Sequence, residues 1–218
     1  YTYMKTIIVP TDFSAVALNA MNYALNLAKD LKARVVIFNA FQVPVAFSEV
    51  PVVTISIDEM QHDSEEKLAL LKKDVEHVTS GEIEVVTVSR LGDVVEELAN
   101  LCDEETPFAV IMGTKGAGKL ERLIIGSNTL SAIRRLHAPV MIIPPGATYK
   151  KIQKVGFACD FTKVKETTPV KEIADLLYSF GASLHVLNVD YKDRHFSGDI
   201  TIESTPVSYT HLTLPTKR

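Results

Sequence analysis

The sequence predicts a doubly wound α/β fold, in which a five-stranded parallel sheet of order 3-2-1-4-5 carries helices on both faces. Short apolar runs alternate five times with segments of helical period, which is typical of domains with a parallel sheet. The runs are almost continuously apolar, as expected for strands that are buried on both faces. A partial repeat of the opening segment begins near residue 153, which indicates that an incomplete second copy of the fold follows the first.

The opening of the chain predicts two strands with one helix between them. Residues 5–10 (KTIIVP) form a β-branched run that ends at Pro10, and residues 34–40 (RVVIFNA) form the second run. Between them, apolar side chains recur at steps of three and four, which predicts an amphipathic helix with one stripe of Leu18, Met21, Leu25 and Ala28. Residues 41–57 hold two prolines and no helical period, so we expect a long surface connection there.

Three further strands and three helices are expected before residue 145. The second helix is predicted by a stripe of Leu68, Leu71, Val75 and Val78. In chain order there follow a strand at 83–89, a helix at 93–102, a strand at 108–113, a helix near 127–137 and a strand at 139–144. Asp93 stands at the start of the third helix, and aspartate is a preferred N-cap residue, so we expect it to cap that helix.

Two loops with unusual chemistry are expected to meet at one edge of this sheet. Doubly wound sheets bind ligands beyond the carboxyl ends of their strands, at the point where the strand order reverses. The order 3-2-1-4-5 places strands 1 and 4 on either side of that point. The loops that leave these strands are residues 10–14 (PTDFS) and 113–118 (GTKGAG). We therefore expect Pro10, Thr11 and Asp12 to lie near the glycine-rich loop.

The glycine-rich stretch fits a phosphate-binding P-loop only in part. Gly113, four residues, Gly118 and Lys119 match the P-loop spacing, but Leu120 stands where the motif needs a Ser or Thr hydroxyl for Mg²⁺. The stretch also follows the fourth strand, whereas a P-loop usually follows the first strand of its fold. These departures exclude a P-loop, and a G-x-G-x-x-G dinucleotide fingerprint is absent from the sequence.

A different glycine spacing is present, with Gly113 and Gly116 at the strand end and Gly126-Ser127 further along. The first two glycines allow the backbone to turn sharply and to approach a ligand closely. Gly126 and Ser127 open the next helix, whose N–H groups and positive dipole end suit phosphate oxygens, while Thr129 adds a hydroxyl donor. Positive charge lies nearby at Lys115, Lys119 and Arg122. The alternative is an ordinary glycine loop followed by a serine-capped helix, and the spacing does not decide between the two.

An internal repeat predicts the domain organisation. Residues 5–16 align with residues 153–164, and residues 33–40 align with residues 182–189 in the same order. We therefore expect a first domain at 4–146 and a partial second domain at 152–205, with a short linker between them. The second copy supplies strand, helix and strand and does not reach a glycine loop of its own.

The last residues, 206–218, stand apart from this repeat. The segment PVSYTHL (206–212) resembles the translation of a transposase adapter used to prepare sequencing libraries, which predicts a non-native tail. A natural polar tail is the alternative. At the other end, Met4 is expected to be the natural first residue.

The blocks VPTDFS, APVMIIP and Gly113-x2-Gly116-x9-Gly126-Ser127 together resemble the universal stress protein family. The likeness covers residues 4–145 and continues into 152–190, as in members with two such domains in one chain. The glycine pattern is similar to that of the ATP-binding members of the family.

The resemblance implies a site for an adenine nucleotide. It implies that Asp12, with its neighbours Pro10 and Thr11, lies at the adenosine end and that the backbone of Ala40 meets the adenine. It further implies that the ribose and phosphates are lined by Gly113, Lys115 and Gly116, and that the phosphates are held by Gly126, Ser127, Asn128 and Thr129. Lys115 stands where the family often has histidine and keeps the positive charge, and Asn128 is expected to act through its backbone N–H. From the residues alone, Asp12 could instead simply cap the first helix together with Ser14.

Composition narrows the classes of function. The net charge of −4 does not suggest a nucleic-acid surface, and no apolar run is long enough to span a bilayer. No signal peptide is visible, and two cysteines without metal-type spacing fit buried thiols in a cytoplasmic protein. The six histidines are scattered and form no ligand pair at helical spacing, so we expect no metal site.

The expected function is an ATP-binding regulatory module of the stress response, with or without Mg²⁺ and with slow or no hydrolysis. No catalytic base and no arginine placed for a phosphoryl-transfer transition state is evident, so we assign no catalytic residue. The alternatives are a slow ATP hydrolase and a nucleotide-free dimerisation module. A phosphorylated receiver domain is set aside, because Ser89-Arg90 stands where it needs a carboxylate. Expected partners are the adenine nucleotide and a second domain, supplied by a homodimer or within the chain.

Overall fold

The computed structural model describes residues 4–42, 56–114, 126–159 and 168–187, together with the backbone of residues 211–212. Contacts divide the chain into two compact units, Tyr1–Tyr149 and Lys150–Arg218. Each unit is described by itself below.

The first unit contains a five-stranded parallel sheet in the order β3-β2-β1-β4-β5, which confirms the predicted fold class and strand order. The strands are β1 (Thr6–Pro10), β2 (Arg34–Phe41), β3 (Val85–Leu91), β4 (Ala109–Gly113) and β5 (Val140–Ile143). The helices are α1 (Ala15–Leu31), α2 (Ile57–Val78), α3 (Val94–Glu105) and α4 (Ser127–Arg135). Strand β3 begins and ends two residues later than expected, because β2 extends to Phe41 and pairs with β3 through Leu91.

The hydrophobic core lies on both faces of the sheet. On one face, Ile8, Val36 and Phe38 are fully buried against Leu98 of α3 and Ala132 of α4. The alternate strand residues point to the other face because successive strand side chains alternate, and α1 and α2 contact the strands on that side. The three central strands are therefore buried on both faces, which explains their nearly continuous apolar sequences.

Helix α1 packs through small residues as well as large ones. Its buried face carries Met21 and Leu25 as expected, but Leu18 is 39% exposed. The residues that bring the helix close to the sheet are mostly alanines, namely Ala17, Ala20, Ala24 and Ala28. Small side chains allow a close approach of helix and strand, so the buried face of α1 is centred on the alanines, and Leu18 alone of the predicted stripe lies outside it. The same reading was wrong for Val78, which is 75% exposed at the end of α2.

The carboxyl end of the first unit is held against α1. The Tyr149 hydroxyl donates to Asp30 Oδ2 at 2.6 Å. The Tyr149 ring stands edge-on to the Tyr23 ring, with 5.3 Å between centroids. Burial raises the pKa of both tyrosines, and at Tyr149 the bond to Asp30 raises it further.

The second unit contains β6 (Lys154–Ala158), α5 (Val170–Phe180), β7 (Ser183–Leu187) and β8 (His211–Leu212). Strands β6 and β7 are parallel neighbours, as β1 and β2 are. The two residues of β8 pair antiparallel with β7 and belong to the segment expected to be a tail. The aligned Asp160, Phe161, Thr162 and Asn188 lie outside the described residues.

Hydrogen bonds at aligned positions match between the two units. Arg34 N donates to Lys5 O, and Ser183 N donates to Gln153 O. The strand ends are tied in the same way, since Thr11 N donates to Phe38 O and Cys159 N donates to Leu187 O. The helices end alike as well, with Lys32 after α1 and Gly181 after α5 both left-handed, at φ values of 52° and 61°.

Candidate functional site

The carboxyl ends of β1, β2 and β4 and the beginnings of α1, α3 and α4 surround a cavity of about 640 Å³. It lies where the strand order reverses, at the position at which doubly wound sheets bind ligands. The predicted residues among its lining are Pro10, Thr11, Asp12, Ala40, Gly113, Gly126, Ser127, Asn128 and Thr129. The structure therefore brings together nine predicted residues from four separate segments of the sequence. The other two, Lys115 and Gly116, lie outside the described residues.

The turn between β1 and α1 is held by local hydrogen bonds. Phe13 N donates to Thr11 Oγ1 at 2.9 Å, and Phe13 itself has a φ of 62°, a left-handed conformation that is rare for a bulky residue. Ser14 is the N-cap of α1 and accepts from Ala17 N. Asp12 does not cap the helix; its Oδ1 accepts from Ser14 N at 3.0 Å instead. Asp12 is exposed, and it is the one ionisable side chain among the described residues that line the cavity.

Gly113 is required by close packing. Its φ is not positive, so the left-handed conformation expected of a sharp glycine turn does not occur there. A Cβ at this position would instead lie 2.5 Å from Val16 Cγ1, in the first turn of α1. The Gly113 carbonyl oxygen also accepts a 3.3 Å hydrogen bond from Thr129 Oγ1. Gly113 thus joins the first turns of α1 and α4 at the end of β4.

Helix α4 presents its amino terminus to the cavity. The N-cap residue is Gly126, not Ser127 as the alternative reading expected, and no side chain caps this helix end. The first N–H groups of a helix have no intrahelical acceptor, so those of the first turn remain available to a ligand. Ser127 and Asn128 are exposed. Thr129 is buried, with 5% of its surface exposed, and its hydroxyl donates to the Gly113 carbonyl oxygen. A phosphate group would therefore meet the N–H groups and the Ser127 hydroxyl.

Several lining residues were missed by sequence reasoning. Phe38, Val94 and Met112 supply apolar surface, and Asn39 and Thr114 add polar groups. Thr114 is 3% exposed, and its hydroxyl has no hydrogen-bond partner within the described part of the chain. The sequence did contain a signal for three of them. The strands around the site were predicted, and Phe38, Asn39 and Met112 lie at or beside the carboxyl ends of those strands.

Helix α3 reaches the cavity through its first residue. Val94 lines the cavity and follows Asp93, whose Oδ1 accepts from Val95 N at 3.0 Å and from Glu96 N at 3.1 Å. The predicted N-cap of this helix is thereby confirmed.

The described residues contain no group of three histidine, cysteine or acidic side chains that could hold a metal ion. No helix within the described ranges combines the length and the apolar character that crossing a membrane would require.

Comparisons with known proteins agree with this geometry. The profile of the universal stress protein family matches residues 4–144. Universal stress protein MJ0531 of Methanocaldococcus jannaschii is 28% identical over 143 residues, which are 64% of this chain and 81% of that protein.

Two solved structures share the fold. A universal stress protein from Archaeoglobus fulgidus DSM 4304 aligns with 86% of this chain and 68% of its own, at a TM-score of 0.65 and 20% identity. The hypothetical protein MJ0577 aligns with 66% of this chain and 98% of its own, at a TM-score of 0.50 and 22% identity. The family match spans most of the chain and contains all the described residues that line the cavity. The chain belongs to the universal stress protein family.

Proposed function

We propose that the first unit is an ATP-binding regulatory module of the cellular stress response. The observation that carries the proposal is the convergence of the Pro10–Asp12 turn, Ala40 and the start of α4 on one cavity. Each of these segments was implicated by its resemblance to the ATP-binding members of the family. The proposed ligand is an adenine nucleotide that spans the cavity from the turn to the helix.

The phosphate end of the proposed ligand lies at the start of α4. The glycine at the N-cap leaves the helix N–H groups uncovered, and the positive end of the helix dipole favours an anion there. Ser127 is exposed beside these groups and supplies a hydroxyl. Lys115 and Gly116 are proposed to complete this end of the site, on the strength of the glycine pattern.

The adenosine end lies between the Pro10–Asp12 turn and the end of β2. Asp12 is exposed with one carboxylate oxygen engaged by Ser14, so the other is available to a ribose hydroxyl or an adenine amino group. Ala40, Phe38 and Val94 offer backbone and apolar surface for a base. Polar groups set among apolar surface in one cleft are typical of a ligand site.

Hydrolysis is proposed to be slow or absent. Fast phosphoryl transfer needs positive groups around the transferred phosphate and a residue that positions the attacking water. The proposed Lys115 would supply one positive group, but the one carboxylate among the described lining residues that could position a water is Asp12, which we place at the adenosine end. Mg²⁺, if bound, would be held mainly by the phosphates themselves, since a single carboxylate makes a weak protein site for this ion.

ATP titration of the full chain by calorimetry tests the proposal, in the presence and absence of Mg²⁺. The informative variant is Gly126→Val, which places a β-branched side chain over the helix N–H groups. The control is Ser56→Val, which also puts valine at a helix N-cap, that of α2, and in addition removes the capping hydroxyl; Ser56 is not among the described residues that line the cavity. We expect saturable binding that is lost in Gly126→Val and kept in Ser56→Val.

The alternatives give different results in the same experiment. Absence of binding at millimolar ATP would contradict the proposal and leave a nucleotide-free dimerisation module. Release of phosphate well above a protein-free blank would favour the slow hydrolase.

We further propose that the chain is a tandem protein whose second copy is truncated, with domains at 4–146 and 152–205 and a non-native tail at 206–218. The matched hydrogen bonds of the two strand–helix–strand units support the second copy.

Pairing through β5, the outer strand of the first sheet, would give a homodimer or an internal pair in the complete protein. Light scattering measures the oligomeric state. Cell fractionation tests the proposed cytoplasmic location.

A further inference from the structure

We infer that Asn39, held by Ser64 and Ser89, is a positioning residue that fixes the Pro10–Ser14 turn for nucleotide binding. This inference rests on the proposed function, because the turn matters only if the cavity binds a nucleotide. The three side chains form a polar chain that runs from β3 through α2 to the end of β1. We call this chain the serine–asparagine relay.

The relay is defined by three short contacts. Asn39 Nδ2 donates to the Thr11 carbonyl oxygen at 2.7 Å. Ser64 Oγ donates to Asn39 Oδ1 at 2.8 Å, and Ser64 Oγ lies 2.7 Å from Ser89 Oγ. Ser89 and Asn39 are register partners on β3 and β2, so two of the three residues are neighbours in the sheet and α2 supplies the third.

Chemistry fixes the direction of every hydrogen bond in the relay. A carbonyl oxygen only accepts, so the amide nitrogen of Asn39 must face Thr11. The amide oxygen of Asn39 therefore faces Ser64, whose single hydroxyl proton must be donated to it. Ser89 must in turn donate to Ser64, because that proton is already used. Each bond polarises the next in the same sense, which strengthens the bond to Thr11.

The relay ends on the residue that shapes the turn. Thr11 is 7% exposed and is fixed through its N–H, its hydroxyl and its carbonyl oxygen. The hydroxyl bond holds the left-handed Phe13, and Asp12 stands between the two residues. Movement of the Thr11 peptide would therefore move the Asp12 carboxylate that we place at the adenosine end.

The buried position of Ser64 on α2 indicates that its hydroxyl serves the relay. It is 4% exposed and shares the buried face of α2 with the apolar residues Leu68 and Val75. Within the described part of the chain, its hydroxyl hydrogen-bonds only to Asn39 and Ser89. Neither Ser64 nor Ser89 is among the described residues that line the cavity, so their effect on a ligand must pass through Asn39.

The test uses Ser64→Ala and Ser89→Ala in the full chain, with Thr79→Val as the matched control. Thr79→Val also removes a hydroxyl from the α2 region, where Thr79 Oγ1 donates to Val75 O at the other end of the helix. Alanine is the best helix former, so Ser64→Ala should keep α2 intact. Asn39→Asp is the strongest variant, because a carboxylate cannot donate to Thr11.

Two readouts separate positioning from a general structural role. The first is hydrogen exchange of the Phe13 and Ser14 amides in protein without nucleotide. We expect faster exchange in Ser64→Ala than in wild type or Thr79→Val. The second is affinity for ATP and for inorganic triphosphate, where loss of one hydrogen bond predicts an ATP affinity lower by about fivefold. Triphosphate, which would occupy only the phosphate end of the site, should bind equally well to all variants.

Each result bears on one of the two proposals. If wild type binds ATP and Ser64→Ala matches Thr79→Val in both exchange and affinity, the relay does not position the turn and the inference is wrong. Equal losses of ATP and triphosphate affinity would also overturn it, because the effect would not be confined to the adenosine end. If wild type binds no ATP, the proposed function and the inference fail together, whatever the exchange shows.

Discussion

Gly113 and Val16 are packed so closely that a Cβ on the glycine would lie 2.5 Å from Val16 Cγ1 and 2.8 Å from the Val16 carbonyl oxygen. Gly113→Ala is therefore expected to push the first turn of α1 away from β4. Overpacking of this kind lowers the free energy of unfolding by about 1–3 kcal/mol. Urea denaturation followed by circular dichroism measures the change, and a variant as stable as wild type would contradict it.

A double variant identifies which of the two contacts matters. Val16→Ala removes the 2.5 Å contact but leaves the one to the backbone oxygen at 2.8 Å. We expect Val16→Ala to recover only part of the stability lost in Gly113→Ala. Simple addition of the two single losses would show that the residues do not interact.

Two hydroxyls at the start of α4 are expected to differ in their roles. Ser127 is exposed beside the cavity, so Ser127→Ala should lower ATP affinity by about fivefold and leave stability within about 0.5 kcal/mol of wild type. The Thr129 hydroxyl donates to the Gly113 carbonyl oxygen, so Thr129→Val should lower the free energy of unfolding by about 1 kcal/mol. Its ATP affinity should fall less than that of Ser127→Ala. Calorimetric titration and urea denaturation of both variants check the pair. The opposite order of the two effects would assign the phosphate contact to Thr129.

Asp93 is expected to contribute to stability through the start of α3. Its carboxylate accepts from two backbone N–H groups, so Asp93→Ala should lower the free energy of unfolding by about 1 kcal/mol. Asp93→Asn keeps an acceptor oxygen and serves as the control, with most of the stability retained. Equal losses in both variants would mean that the charge matters more than the cap.

Alkaline pH should destabilise the first unit through Cys102. Burial, aided by Asp103, raises the pKa of this thiol from 9.0 to about 11. The folded state therefore keeps a proton that the unfolded chain loses above about pH 9, so stability is full below that pH and falls as the pH approaches 11. The loss is on the order of 2–3 kcal/mol. Cys102→Ala has no thiol to titrate and should not show this loss.

The measurement is the difference in free energy of unfolding between wild type and Cys102→Ala, taken from pH 7 to pH 11. We expect wild type to lose stability relative to Cys102→Ala as the pH rises. Tyrosines with raised pKa values are common to both proteins and cancel. A constant difference would show that Cys102 does not titrate in this range.

The strand order and the location of the cavity could be predicted because both follow from local patterns and one topological rule. Five apolar runs separated by helices identify a parallel sheet, and the reversal of strand order identifies the edge at which loops meet. The Pro10–Asp12 turn and the Gly126–Thr129 segment were found in this way. That these two segments lie close together could be predicted without any knowledge of side-chain packing.

Other features depend on distances that the sequence does not contain. Leu18 was expected in the core, but the alanines of α1 determine which face approaches the sheet. Gly113 was expected to make a turn, and its actual role is to admit Val16. Ser64 and Asn39 lie on different elements, so their contact depends on the tertiary placement of α2 against β2.

The Tyr149 contacts with Asp30 and Tyr23 change where this unit can be excised. The family match ends at residue 144, five positions before the ring that covers this part of α1. A shortened protein that stops at the end of the match would expose Tyr23 and leave Asp30 without its hydroxyl donor. An autonomous module, whether for transplantation into another chain or for isolation on its own, should therefore retain the segment through Tyr149.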